Sequence, residues 1–341
     1  MVGLKIGLDI GTGYVTAAVE GKGVILCEPA VVALERETGR VIEAGQKAAD
    51  MIGRCPDAIK LVRPLISGGV SELESTEKLL RAFIERICKN KIFKPTVVAT
   101  MPAGITNLEK RNILGCILRA GAGRATLIEE PLAAALGIGV MLERPYGTMI
   151  VDVGAGTTGV AVITMGSIAV AKSVSVGGND FDKIIKTYLK ANRGVAVGRL
   201  TARKLKHTLG GAKMRDETIA AVAKGKDMSS GMPLFFEVTA QEVNYAIRDS
   251  IDEICNAIKG VLEITPPELV KDITDDGIFL CGGMANLYGL DKYITEATGI
   301  KVQIPGNVTD AAALGCLRAL SEENYLSNNS YHFVTLETLN L

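Results

Sequence analysis

Residues 152–159 read DVGAGTTG, and the GAGTTG within them spells G-x-G-x-x-G, the spacing of a dinucleotide-binding turn. That turn requires a helix directly after the glycines, whose N-terminus receives a pyrophosphate, and an acidic residue about twenty positions on for a ribose. Neither is present. After Gly159 the chain runs VAVIT (160–164), turns at Met165-Gly166 and continues as IAVAKSVSV (168–176), alternating and rich in β-branched residues. With TMIVDV (148–153) in front, the glycines occupy the bend of a β-hairpin.

The same construction opens the chain. KIGLDIGTGYVTAAVEG (5–21) aligns with TMIVDVGAGTTGVAVITMG (148–166) at a constant offset, placing Asp9 on Asp152, Gly11 on Gly154 and Gly13 on Gly156. One such stretch reads equally as a glycine-containing hairpin in an ordinary sheet. Two copies, each with an aspartate just before the glycines, predict two similar lobes facing across a cleft. Glycines let the backbone approach closely and aim several N–H groups at one point, an anion cradle suited to phosphate oxygens. A carboxylate beside each cradle suits Mg²⁺ held through waters, because that ion dehydrates reluctantly and bridges phosphates. A third glycine cluster, GIFLCGGMANLYGLDKYI (277–294), reads as a buried strand, Gly282-Gly283 and a helix, able to pack on an adenine face and ribose.

Composition bounds what surrounds this cleft. The 341 residues, nearly half hydrophobic, suffice for two lobes with large cores. Lysine plus arginine equals aspartate plus glutamate at 38 each, so no overall field favours nucleic acid. Seven scattered cysteines without a C-x-x-C pair, and only two histidines, predict a reducing cytosolic setting and no zinc site. The N-terminal MVGLKIGLDIG makes a poor signal peptide, and the longest apolar run, PLAAALGIGVML (131–142), is too short to span a bilayer and reads as a buried helix.

The three glycine motifs, in this order and spacing, resemble the phosphate-1, phosphate-2 and adenosine motifs of the actin, sugar-kinase and heat-shock-chaperone ATPase superfamily. CEPAVVAL (27–34), LIEEPLAAALGIG (127–139), SVGGNDFD (175–182), GRLTARKLKHTLGGAKM (198–214) and ALGCLRAL (313–320) are similar to stretches of the bacterial actin family of MreB and Mbl. The likeness covers nearly all of residues 4–320. It implies an α/β, actin-like two-lobed ATPase fold with duplicated ribonuclease-H-like sheets and two smaller subdomains. In the family's division these are IA (1–32, 67–144 and 315–341), IB (33–66), IIA (145–181 and 240–314) and IIB (182–239). It further implies ATP and Mg²⁺ in the central cleft, homopolymeric filaments at the inner face of the cytoplasmic membrane, cell-wall elongation proteins as partners, and a role in cell shape.

Site residues follow from the matching positions. Asp9 and Asp152 would organise hydrated Mg²⁺. Gly11, Thr12, Gly13 and Tyr14 of one loop and Gly154, Ala155, Gly156, Thr157 and Thr158 of the other would hold phosphates, with Lys206, Gly282, Gly283 and Met284 on the nucleoside side. Glu129 and Glu130 precede Pro131 and an alanine-rich stretch, ordinary chemistry for a helix start. The resemblance adds a second role, Glu130 polarising the attacking water with help from Thr157. With no arginine finger visible, slow ATP hydrolysis coupled to assembly is expected. Four positions depart from the family: Tyr14 for asparagine, Ser67 for aspartate, Ala155 for glycine and Thr208 for a nucleoside-contacting glutamate. They leave open a filament scaffold that binds nucleotide with little hydrolysis, while a monomeric ATPase of the same superfamily is a third reading.

Other stretches give structural expectations. ITNLEKRNIL and TAQEV carry capping boxes from Thr106 to Glu109 and from Thr239 to Glu242. GKDMSSGMPLFFEV (225–238) reads as a hairpin in a smaller subdomain whose Phe235-Phe236 pair belongs to a core rather than to an interface. Leu79, Leu80, Phe83, Ile84 and Ile87 form a helical apolar stripe. Ile92 and Phe93, between Lys91 and Lys94, either open the next strand or, by resemblance, form a loop inserted in the membrane, where flanking lysines suit anionic lipid. The tail from 321 onward lies beyond the likeness; SNNS reads as turn-like or disordered and YHFVTLETL as a strand or a partner peptide.

Overall fold

The computed structural model describes residues 3–66, 69–89, 91–142, 144–216, 218–321 and 333–339. Ser67 and the SNNS of the tail lie outside them. The first half of the chain runs β1 (Lys5–Ile10), β2 (Tyr14–Val19), β3 (Gly23–Pro29), β4 (Val32–Glu35), β5 (Val41–Ala44), α1 (Gln46–Asp50), β6 (Ile59–Val62), β7 (Leu65–Ile66), β8 (Gly69–Val70), α2 (Leu73–Ile87), β9 (Thr96–Met101), α3 (Asn107–Arg119), β10 (Arg124–Glu129) and α4 (Glu130–Gly137). The second half runs β11 (Thr148–Val153), β12 (Thr158–Thr164), β13 (Ser167–Val174), α5 (Gly178–Arg193), β14 (Val195–Ala196), α6 (Arg199–Leu209), β15 (Ala220–Asp227), β16 (Pro233–Thr239), α7 (Ala240–Ile264), α8 (Pro267–Asp276), β17 (Ile278–Cys281), α9 (Leu290–Thr298), β18 (Val302–Gln303) and α10 (Ala311–Ser321).

Each half builds a five-stranded sheet on one plan. The orders are β3-β2-β1-β9-β10 and β13-β12-β11-β17-β18, with antiparallel pairing on one side of the central strand and parallel pairing on the other. The predicted offset holds to the residue, since Asp9 pairs with Thr16 in one hairpin and Asp152 with Gly159 in the other. Two three-stranded sheets, β5-β4-β6 and β14-β15-β16, make the smaller units. Separate cores fill the two lobes: Phe83, Leu79 and Leu114 pack under the first sheet, Phe181, Ile247 and Ile258 under the second.

The helices α4 and α10 join the lobes. They occupy matching places, each after the outer parallel strand of its sheet. A side chain on Gly137 would run into the carbonyl of Ala311, and one on Gly315 into that of Ala133, so the two backbones touch. Glycine is required at this crossing because no β-carbon fits.

Both capping boxes are formed; Thr106 and Thr239 each accept from the backbone N–H three residues on, at 3.3 Å in both. The stripe on α2 is buried at Leu79, Leu80, Phe83 and Ile84. Four expectations need correction. The buried helix from Pro131 ends at Gly137, because backbone turns replace it through Gly139. After Gly282-Gly283 a run of turns intervenes and the helix begins only at Leu290. Phe235 is 64 % exposed, packed under Lys224 Nζ at 4.9 Å, and only Phe236 turns toward the core. Ile92 and Phe93 do not open β9, which starts at Thr96; they are 93 % and 46 % exposed. Among the described residues no helix is long and apolar enough to cross a membrane.

Candidate nucleotide cleft

The two glycine bends meet face to face. A β-carbon on Gly13 would stand 2.5 Å from that of Ala155, and one on Gly156 would stand 2.7 Å from Thr12 Cγ2. Each loop thus fits into the other, and the glycines are there because the loops leave no room. Ala155 is accommodated: among the described non-glycine residues only Met165 has positive φ, so the extra methyl meets no backbone strain. The loop in the second lobe is closed by Gly154 N–H donating to Thr157 O at 2.9 Å. It is tied to the start of α5 by Gly178 N–H to Gly154 O (3.0 Å) and Asn179 N–H to Ala155 O (2.7 Å).

Between the loops lies a cavity of about 360 Å³, within the range of small-molecule sites. Its walls include Asp9, Gly11, Thr12, Gly13, Tyr14, Glu130, Asp152, Gly154, Ala155, Gly156, Thr157, Lys206, Gly282, Gly283 and Met284. Residues up to 275 positions apart, from Asp9 to Met284, are therefore brought to one place as the sequence predicts. Thr158 stands outside the lining, fully buried, with its hydroxyl donating to Val176 O at 2.8 Å. Thr208 is exposed on α6 and its hydroxyl donates to Lys204 O at 2.8 Å, a bond within its own helix.

Three carboxyl groups share the floor. Burial pushes Asp9 up to about 6, against the opposing hydrogen bond from Thr100, with Asp310 adding repulsion. Burial and the charge of Asp9 push Asp152 up to about 7. Glu130, the first residue of α4, is raised by burial and then by Asp152 and Asp9. The two aspartates differ because their neighbours do. Thr100 Oγ1 donates to Asp9 Oδ1 at 2.9 Å, whereas the pairing of β11 with β17 sets Cys281 beside Asp152. Gly282, at φ 88°, closes over Asp152; a β-carbon there would lie 2.5 Å from Asp152 Oδ1.

Lys206 lines the cavity with its charge already engaged. It is 4 % exposed, donates to Gly178 O at 2.6 Å, and lies 2.8 Å from Asp182, which is itself buried. Burial pulls the ammonium downward and Asp182 opposes this. Arg203 reaches the same carboxylate at 3.2 Å and, with Arg199, donates to Asn179 Oδ1. Lys206 therefore fastens α6 to the start of α5 at the cavity wall. Thr100, Asp310, Asn179, Arg203, His207 and Cys27 around this cavity escape sequence reasoning. Cys27, Asn179, Arg203 and His207 lie in stretches that resemble the family without a role assigned to them, and only the parallel pairing of β9 beside β1 brings Thr100 to Asp9.

Comparison with known proteins fits this architecture. Residues 3–328 match the MreB/Mbl protein family. The chain is 39 % identical over 318 residues to the cell shape-determining protein Mbl of Bacillus subtilis, covering 92 % of this chain and 95 % of the relative. It is 36 % identical over 321 residues to the cell shape-determining protein MreB of Escherichia coli, covering 92 % of each. Among solved structures it resembles MreB5 of Spiroplasma citri bound to ADP, with TM-score 0.90 and 31 % identity over 96 % of this chain and 99 % of that one. The MamK double helical filament, at TM-score 0.80 and 20 % identity over 94 % and 99 %, shares the fold. The fold is actin-like, and the chain belongs to the MreB/Mbl family.

Proposed function

We propose that this protein binds ATP with Mg²⁺ between the two glycine loops, hydrolyses it slowly, and polymerises into filaments at the inner face of the cell membrane that govern cell shape and wall synthesis. The observation that carries the reading is the pair of interlocked loops with Asp9, Asp152 and Glu130 held beneath them. Support comes from the relatives named as cell shape-determining and from the MreB5 structures bound to ADP and AMPPNP. The four-part division given above belongs to the same proposal.

The donor set fits a hard cation. Three mutually repelling carboxyl groups, all oxygen donors, lie where burial already disfavours their charge. Among the described residues no three His, Cys, Asp or Glu side chains stand close enough to grip an ion by themselves. Asp9 and Asp152 would therefore hold Mg²⁺ through waters, leaving positions for phosphate oxygens. The metal supplies charge neutralisation on the phosphates. Backbone N–H groups around Gly11–Gly13 and Gly154–Thr157 bind and orient them. Glu130, on the cavity wall with Thr157, orients water for in-line attack. Gly282, Gly283 and Met284 form the nucleoside wall.

At the surface, Ile92 and Phe93 project between Lys91 and Lys94 outside any strand, which favours membrane insertion over a place in the core. Ile92→Ser with Phe93→Ser should abolish binding to anionic liposomes while leaving nucleotide binding unchanged; undiminished liposome binding would refute that role. For the whole reading, negative-stain microscopy with ATP and Mg²⁺ should show filaments, and their absence with and without anionic liposomes would refute it. A scaffold with little hydrolysis is the second reading, favoured by Tyr14, 42 % exposed at the cavity wall where the family carries asparagine. Filaments forming while phosphate release stays at background would select it.

A further inference from the structure

The two lobes finish their sheets differently. In the second lobe the outer parallel strand is β18, only two residues long and too short to template another chain. In the first it is β10, six residues long, a length at which unpaired N–H and C=O groups invite strand addition. Residues 333–339 lie along that edge. Leu127 N–H donates to Val334 O at 2.8 Å, and Val334 N–H donates to Leu127 O at 3.0 Å. Val334 and Leu339 pack against the core of the first lobe, Phe333 against that of α4 and α10. On α3, the Arg111 guanidinium donates to Leu339 O at 2.6 Å. Thr335 and Thr338 close the segment on itself, each accepting the other's backbone N–H. These residues lie past the stretch that matches the family.

We propose that residues 333–339 are a strap that closes the β10 edge against addition of a second copy of this chain, by antiparallel pairing of two β10 strands about a two-fold axis. Identical edges related by a two-fold pair antiparallel and isologously. Among the described residues the strap pairs with Leu127 alone, and the alternation of a strand turns the backbone groups of Ala125 and Glu129 the same way. A register centred on Leu127 sets Ala125 opposite Glu129 and Thr126 opposite Ile128, so no like charges oppose this pairing. The strap meets β10 through the single residue pair Leu127–Val334, a short ladder that a longer strand pairing can displace.

Sedimentation velocity without nucleotide, where nucleotide-driven assembly does not enter, tests this. At a concentration where the full chain is monomeric, the chain lacking residues 333–341 should self-associate at least about tenfold more tightly. A synthetic peptide of residues 330–341 should reverse that association by reoccupying the edge. Val334→Pro in the full chain removes one of the two ladder bonds and should give a smaller shift in the same direction. A truncated chain that sediments as the full chain does, or an association the peptide leaves unchanged, would overturn the proposal. If the truncated chain does not fold, Val334→Pro decides by the same measurement, and unchanged sedimentation overturns it.

Discussion

The lobes share one hairpin to the residue and yet treat its aspartate differently. In the first, the strand beside β1 supplies Thr100, whose hydroxyl donates to Asp9 and also accepts from Ile10 N–H at 3.0 Å. In the second, the corresponding strand supplies Cys281, a thiol that burial pushes well up and keeps neutral. The donor offsets part of the cost of charge on buried Asp9, whereas burial and the charge of Asp9 itself raise Asp152. The two glycine loops thus share one backbone, while the residue on the neighbouring strand is a hydroxyl donor in one lobe and a thiol in the other.

The largest effect that bears on this asymmetry is expected at Glu130, the carboxylate that neither lobe duplicates. Glu130→Ala should retain ATP binding and lower phosphate release by about 100-fold or more; unchanged turnover at saturating ATP would remove Glu130 from its role. Next comes the joint between the lobes. Gly315→Ala should destabilise by about 3 kcal/mol, since the new methyl meets a backbone carbonyl that cannot retreat. Gly159→Ala, whose β-carbon would meet nothing within 4 Å, should by contrast cost no more than about 1 kcal/mol. Equal melting temperatures for the two would show that α4 and α10 are not in backbone contact.

A smaller effect tests the pairing of Thr100 with Cys281. Thr100→Val should cost about 1–3 kcal/mol and move Asp9 up toward Asp152, whereas Cys281→Ser should bring Asp152 down. Carboxyl titration by NMR on nucleotide-free protein reads both, and coincident titrations in the wild type would contradict the asymmetry. The last effect is on stability against pH. Both aspartates bind protons more tightly folded than unfolded, so without nucleotide and metal stability falls as pH rises from about 4 through 6 and 7. Asp152→Asn should flatten that slope. A slope that steepens instead would mean Asp152 is stabilised as the anion.

The hairpins, their offset and their meeting across a cleft were legible because glycine and aspartate stand at fixed positions in strongly alternating strands. Less could be read where tertiary pairing decides. Thr100 lies in an ordinary apolar strand, and only its place beside β1, 91 residues away, gives it a partner. Lys206 was legible as a cavity residue, but its engagement with Asp182 depends on how α5 and α6 pack. Phe235 and Phe236 alternate in a strand, so one of them had to face outward, and a small sheet has a single core face to offer. YHFVTLETL reads as a strand or a partner peptide, but nothing in it names Leu127 as its partner, since any β-prone segment can cover an edge of that length.

The most direct test of the two-loop clamp is a calorimetric titration of nucleotide-free protein with ATP, in Mg²⁺ and in its absence. Saturable one-to-one binding that strengthens with Mg²⁺, and loses that strengthening in Asp152→Asn, is the predicted result. Absence of binding in both conditions, or binding indifferent to Mg²⁺ and to Asp152, would contradict it.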